Sequence, residues 1–115
     1  GYDFDAVSTP SEVANVSEKL LAHQWIRNVV KSEHYTIATL SGQRLTMTST
    51  NQMLNSSSAY YMPGVKGIKT GSLDGNYNLA ILYTKNEHDY LLVSLGSTSE
   101  AARYDDLINL ISAIS

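Results

Sequence analysis

At 115 residues the chain has the size of one domain, and its net charge of −3 gives no basic footprint for nucleic acid. It has no cysteine, which excludes a disulfide framework and thiolate chemistry. No apolar run approaches the length of a membrane span, and no signal peptide is expected within it.

Thr9-Pro10-Ser11-Glu12 reads as a helix start. Thr9 is the cap, Pro10 suits the first helical position, and Glu12 stands where a capping box needs a carboxylate. Val13, Val16, Leu20, Leu21, Trp25, Val29 and Val30 then recur at helical spacing. This predicts a helix over about 10–31, with a break near His23-Gln24. Residues 35–40 and 44–48 are β-rich around Ser41-Gly42, which predicts a hairpin. Residues 50–63 are polar and serine-rich, and read as a surface loop with a short helical turn at Asn51–Leu54.

Three strands are expected next, at about 65–71, 77–84 and 90–96. Asp74-Gly75-Asn76 and Asn86-Glu87-His88 join them as short turns into an antiparallel meander. Ser97 with Glu100 offers a second capping box. Tyr104, Leu107, Ile108, Ile111 and Ile114 then share one face of a C-terminal helix. Helix, hairpin, meander and helix in that order predict an α+β fold with an antiparallel sheet flanked by an N-terminal and a C-terminal helix, in a single domain over 1–115.

Alternation along the first meander strand puts Val65, Gly67, Lys69 and Gly71 on one face, and Lys66, Ile68 and Thr70 on the other. Glycine weakens a strand unless a backbone or a ligand approaches closely. Lys69, flanked by Gly67 and Gly71, is therefore placed to face a cleft, where its ammonium attracts an anion or helps move a proton. The alternative is a solvated lysine on a sheet face. Arg103 falls in the first turn of the last helix, where its charge opposes the helix dipole. An anion site would account for it; so would a surface pair with Glu100 or Asp106. His23, His34 and His88 show no ligand spacing, so neither a metal nor a cofactor is expected. There is no phosphate-binding glycine loop and no Gly-x-Ser-x-Gly elbow.

Several landmarks in order carry a resemblance. Val7-Ser8-Thr9 before the capped helix looks like a Ser-Thr-x-x-Asp-Leu-Ala segment. Thr50-Asn51-Gln52-Met53-Leu54 looks like Asn-Thr-Asn-x-Leu-Leu. Gly64 to Gly71, ending in Lys69-Thr70-Gly71, and Tyr77-Asn78-Leu79-Ala80 are close to one family's pattern, as is Leu95-Gly96 through Arg103-Tyr104-Asp105. Together they resemble the penicillin-binding D-alanyl-D-alanine carboxypeptidases, the low-molecular-mass serine DD-peptidases of bacterial cell walls. The resemblance favours the cleft role for Lys69 and the anion role for Arg103. It implies a partial β-lactamase/transpeptidase-like fold and a serine-type hydrolase outside the cytoplasmic membrane, on the cell-wall side.

In that family Lys69 would support the acid–base network of the nucleophile. Thr70 and Arg103 would bind the terminal carboxylate of a peptidoglycan stem peptide or a β-lactam. The Ser72 N–H would serve the oxyanion hole, and the strand through Gly71 would pair with the peptide. The family's Ser-x-x-Lys nucleophile motif occurs nowhere in the chain. Ser49-Thr50-Asn51 spells Ser-x-Asn but stands at the Asn-Thr-Asn landmark, so Ser49 is read as a decoy. The chain is therefore expected to be the C-terminal portion of the peptidase domain, inactive alone, with apolar surface covered by the missing half or by self-association. Ser72 stands where the family often has a bulkier residue, and the turn at Asp74-Gly75-Asn76 is short. A class A β-lactamase fragment and a non-catalytic peptidoglycan-binding or self-associating module are the alternatives.

Overall fold

A computed structural model describes Asp3 and residues 5–115. The chain is an α+β fold with a two-stranded hairpin and a three-stranded antiparallel sheet. Helix α1 spans Pro10–Leu21. Its cap is reciprocal: the Glu12 N–H donates to Thr9 Oγ1 at 3.3 Å, and the Thr9 N–H donates to Glu12 Oε2 at 2.9 Å. The Thr9 N–H and the Ser8 hydroxyl hold the Glu12 carboxyl below its ordinary range. The expected break is real. Helix α1 ends at Leu21, His23 is extended, and α2 runs Gln24–Val30. Arg27 spans the break by donating to the Leu21 carbonyl at 3.3 Å.

Strands β1 (His34–Ala38) and β2 (Arg44–Thr48) form the predicted hairpin. Tyr35 faces Met47 and Ile37 faces Leu45, so one surface of the hairpin is apolar. The other carries a Thr36–Thr46 hydroxyl pair at 2.8 Å and His34 bonded to Thr48 at 3.0 Å. The predicted turn at Asn51–Leu54 is a 3₁₀ turn at Gln52–Leu54, capped by the Asn51 side chain.

The meander is β3 (Lys69–Leu73), β4 (Asn76–Lys85) and β5 (His88–Ser97). Asp74-Gly75 and Asn86-Glu87 turn the chain with both residues at positive φ, the geometry that matches strand twist. Leu79, Ile81 and Tyr83 point to one face of the sheet and form the core with Tyr104, Leu107 and Ile111 of α3 (Glu100–Ser112). Ala80 and Leu82 are buried on the opposite face, where α1 lies against β5.

Three expectations need correction. The sequence predicts the first meander strand at 65–71, yet the regular ladder begins at Lys69; before it, Val65 forms only an isolated bridge to Tyr83. The cap of α3 is Ser99, which accepts from the Ala102 N–H at 3.0 Å. Ser97 is instead buried at the end of β5 and donates to Asp106 at 2.6 Å. Ile114 lies beyond the helix, although it still packs on the core.

Candidate active site

The way the chain enters β3 decides what the site presents. The Lys66 N–H donates to the Leu82 carbonyl at 2.7 Å, and the Ile68 N–H to the Ala80 carbonyl at 2.8 Å. From there the register slips by one residue, because Ala80 is also the partner of Lys69. Ile68 and Lys69 thus both oppose Ala80, which is a β-bulge. Its effect is to invert the faces. Val65 is buried in the core beside Leu79 and Tyr83, while Lys69 pairs with Ala80 on the other face. Simple alternation put Val65 and Lys69 together, and the bulge separates them.

The two flanking glycines have different reasons. Gly67 has φ +113°, and a Cβ there would lie 2.9 Å from Val30 Cγ2 and 3.0 Å from the Val30 carbonyl. That is the close backbone approach expected of a strand glycine. Gly71 has only ordinary contacts, with Asn78 atoms at 3.8 Å, so no protein neighbour demands it among the described residues.

Lys69 lines a groove between the sheet and the segment Ala6–Ser8, with Asn78, Leu95 and Gly96 on its walls. Its ammonium donates to the Thr70 carbonyl. The turn at Asp74-Gly75 makes Leu73 and Asn76 a hydrogen-bonded pair, so the N–H groups of Gly71 and Lys69 also turn toward β4. Those of Thr70 and Ser72 point away from it, along a sheet edge that no strand covers among the described residues.

Thr70 and Ser72 share the α3 face through their partners Leu79 and Tyr77. Arg103 reaches Ser72 from the first turn of α3. It is buried, at 4% exposure, so it is no surface charge. One terminal nitrogen donates to Ser72 Oγ at 3.0 Å, and the other to Glu100 Oε1 at 3.1 Å and to the Tyr104 hydroxyl at 3.4 Å. The guanidinium carbon lies 5.0 Å from the Tyr104 ring centre and 5.9 Å from that of Tyr77. Its Nε is buried without a partner among the described residues. Because guanidinium only donates, Ser72 Oγ must accept, which leaves its own proton free. Arg103 thus has the expected partner in Glu100, but the pair is not a surface one, because the guanidinium is buried against the Ser72 hydroxyl. Asp106 is not its partner and instead receives the hydroxyls of Ser94 and Ser97.

Further residues complete the arrangement. Thr70 Oγ1 lies 2.5 Å from Thr50 Oγ1. The buried Asn51 donates to the Gly67 carbonyl at 3.1 Å, tying the 3₁₀ turn to the bulged approach. Helical spacing marks Tyr104 only as a core residue, yet its hydroxyl donates to the Thr50 carbonyl at 3.2 Å and accepts the Gln52 N–H at 3.2 Å. Thr50 and Asn51 had a signal in the sequence as a landmark; the hydroxyl of Tyr104 had none, because helical spacing marks only its ring. Ser49 accepts the Asn51 N–H at 3.2 Å, a local turn contact. Among the described residues no group of three histidines or carboxylates converges as a metal site would require.

No protein-family model and no curated protein matches the sequence. Solved structures do match. The Streptomyces K15 DD-transpeptidase is 30% identical with a TM-score of 0.75, over 91% of this chain and 40% of that one. A point variant of it superposes at 0.78 with 27% identity, over 96% and 43%. Penicillin-binding protein D2 from Listeria monocytogenes, in a cefotaxime-bound form, is 26% identical at 0.75, over 97% and 44%. In sequence and fold the chain is similar to these penicillin-binding DD-peptidases. It spans less than half the length of these relatives. Within this peptidase-type family the partial transpeptidase-like fold is the one expected, and Lys69-Thr70-Gly71 occupies the edge strand of its sheet.

Proposed function

We propose that this chain is the Lys-Thr-Gly portion of a serine-type D-Ala-D-Ala peptidase that trims peptidoglycan stem peptides and binds β-lactams on the outer side of the cytoplasmic membrane. One observation supports the reading above others. A free sheet edge carries Lys69 on one face, and Thr70 and Ser72 on the other, with a buried guanidinium behind Ser72.

An extended stem peptide would pair with that edge through the N–H and C=O groups of Thr70 and Ser72. Its terminal carboxylate would take the hydroxyl protons of Thr70 and Ser72, with the charge of Arg103 behind Ser72. The Ser72 N–H would donate to the oxyanion, and Lys69 would move protons for a nucleophilic serine. That serine would add to the penultimate D-Ala carbonyl and expel D-Ala, and water would then release the acyl group. The chain has no Ser-x-x-Lys, so the nucleophile has to come from outside these residues and the chain alone is inactive.

A second reading, transpeptidation, is favoured by the likeness to a DD-transpeptidase. The two differ in whether an amine or water takes the acyl group. Intact mass after incubation with excess penicillin tests the proposal. No adduct is expected on this chain, and one adduct is expected on a protein that pairs it with a Ser-x-x-Lys segment. A stable adduct on this chain alone would place the nucleophile within it, at Ser49 or another serine, and would end the proposed division.

A further inference from the structure

We propose that Thr50 is a positioning residue that sets the Thr70 hydroxyl as a donor toward a ligand carboxylate. The inference rests on the reading of Thr70 as part of the carboxylate site.

A hydroxyl has one proton and two lone pairs. Thr70 is buried at 8% exposure, and among the described residues its side-chain oxygen has one partner, Thr50 Oγ1 at 2.5 Å. At that separation one proton lies between the two oxygens and the other is free. If Thr70 donates to Thr50, Thr70 offers only lone pairs to an incoming anion, which repel it. If Thr50 donates to Thr70, the Thr70 proton is free, and a hydroxyl that accepts one bond donates the next more strongly. A bound carboxylate selects this second arrangement, in which Thr50 spends its proton on Thr70. Ser72 reaches the same state through the Arg103 guanidinium.

Thr50 is held for the task from both sides. Its carbonyl accepts from the Tyr104 hydroxyl at 3.2 Å. The next residue, Asn51, is buried at 3% exposure and is tied to the Gly67 carbonyl at 3.1 Å. The Tyr104 hydroxyl also receives the Gln52 N–H and an Arg103 nitrogen, so its proton and both lone pairs are in use. One phenol therefore fixes the guanidinium and the threonine that act on the two β3 hydroxyls.

A loop tie with no role in binding would stabilise the fold and leave ligand preference alone. The test is NMR titration of the chain with N-acetyl-D-Ala-D-Ala and with its C-terminal amide. The unsubstituted chain is expected to prefer the acid. Thr50→Val, which keeps the shape, is expected to lower that preference by about two- to threefold, because Thr70 keeps its proton but loses the bond that polarises it, and Thr50→Ser to restore it. A folded Thr50→Val with the full acid preference overturns the inference and leaves the proposed function standing. No acid preference in the unsubstituted chain overturns both. Should Thr50→Val unfold, the exchange rate of the Thr50 hydroxyl proton in the unsubstituted chain decides: slowing on addition of the acid but not the amide supports the role, and equal rates overturn it.

Discussion

Gly67 and Gly42 both lie at positive φ, but only Gly67 is crowded. A Cβ at Gly67 would meet Val30 at 2.9 Å, whereas none is met within 4 Å at Gly42. Gly42→Ala is expected to cost about 1 kcal/mol, the backbone penalty alone, and Gly67→Ala roughly 2–4 kcal/mol because a steric clash adds to it. Urea unfolding of the two variants checks the order; equal losses would mean that Val30 moves aside freely. Two carboxyls set a pH dependence. Thr9 and Ser8 hold Glu12 below its ordinary range, and the Thr84 hydroxyl and Arg27 do the same for Asp89. A depressed folded pKa contributes stability above the unfolded value of about 4, and that contribution disappears as pH falls through the folded value. Glu12→Gln and Asp89→Asn should therefore unfold more easily than the parent at neutral pH and match it near about pH 2. A gap that persists in acid would assign the loss to something other than charge.

At the scale of elements, Tyr104 ties α3 to the segment ahead of β3. Tyr104→Phe removes a hydroxyl that serves the Thr50 carbonyl, the Gln52 N–H and Arg103, and should cost about 1–3 kcal/mol in urea unfolding. A neutral result would show that water serves these groups equally well. Most of the elements were legible in the sequence, because each has a local cause: the Thr9–Glu12 box, the Asn86-Glu87 turn and the helical spacing of Tyr104, Leu107 and Ile111. The start of β3 was not. Alternation supposes an unbroken register, and the bulge at Ile68-Lys69 arises from pairing with Ala80, ten and more residues along the chain. The candidate site follows the same division. Lys69-Thr70-Gly71 and Arg103 were visible as a motif and as a charge against a helix dipole. That Arg103 is buried behind Ser72, and that Thr50 touches Thr70, depends on how α3 and the 3₁₀ turn pack, which no local pattern encodes.

At the scale of the whole molecule, the hairpin and the first two helices both show apolar surface. Tyr35, Ile37, Leu45 and Met47 on one face of the hairpin are 36–50% exposed, and Val16, Leu20 and Trp25 on the helices are 43–68% exposed. Patches of this kind favour association. The isolated chain is expected to self-associate at tens of micromolar, roughly the range in which such weak contacts form. Leu45→Thr with Met47→Thr should weaken that association while leaving the core intact. Sedimentation giving a compact monomer that binds no hydrophobic dye would count against it.

The strand that carries Lys69 is read in two frames. Before the bulge, odd-numbered Val65 answers to the core; after it, the even-numbered Thr70 lies on that same side and odd-numbered Lys69 looks out. A scan of all substitutions through residues 64–73 should show a tolerance pattern of period two whose phase reverses at Ile68-Lys69. One consequence concerns length rather than chemistry. Losing a single residue between Val65 and Lys69 would leave Lys69-Thr70-Gly71 itself intact, yet would turn the lysine inward and the threonine away from Thr50. In this chain the spacing ahead of the motif is under as strict a constraint as the motif itself.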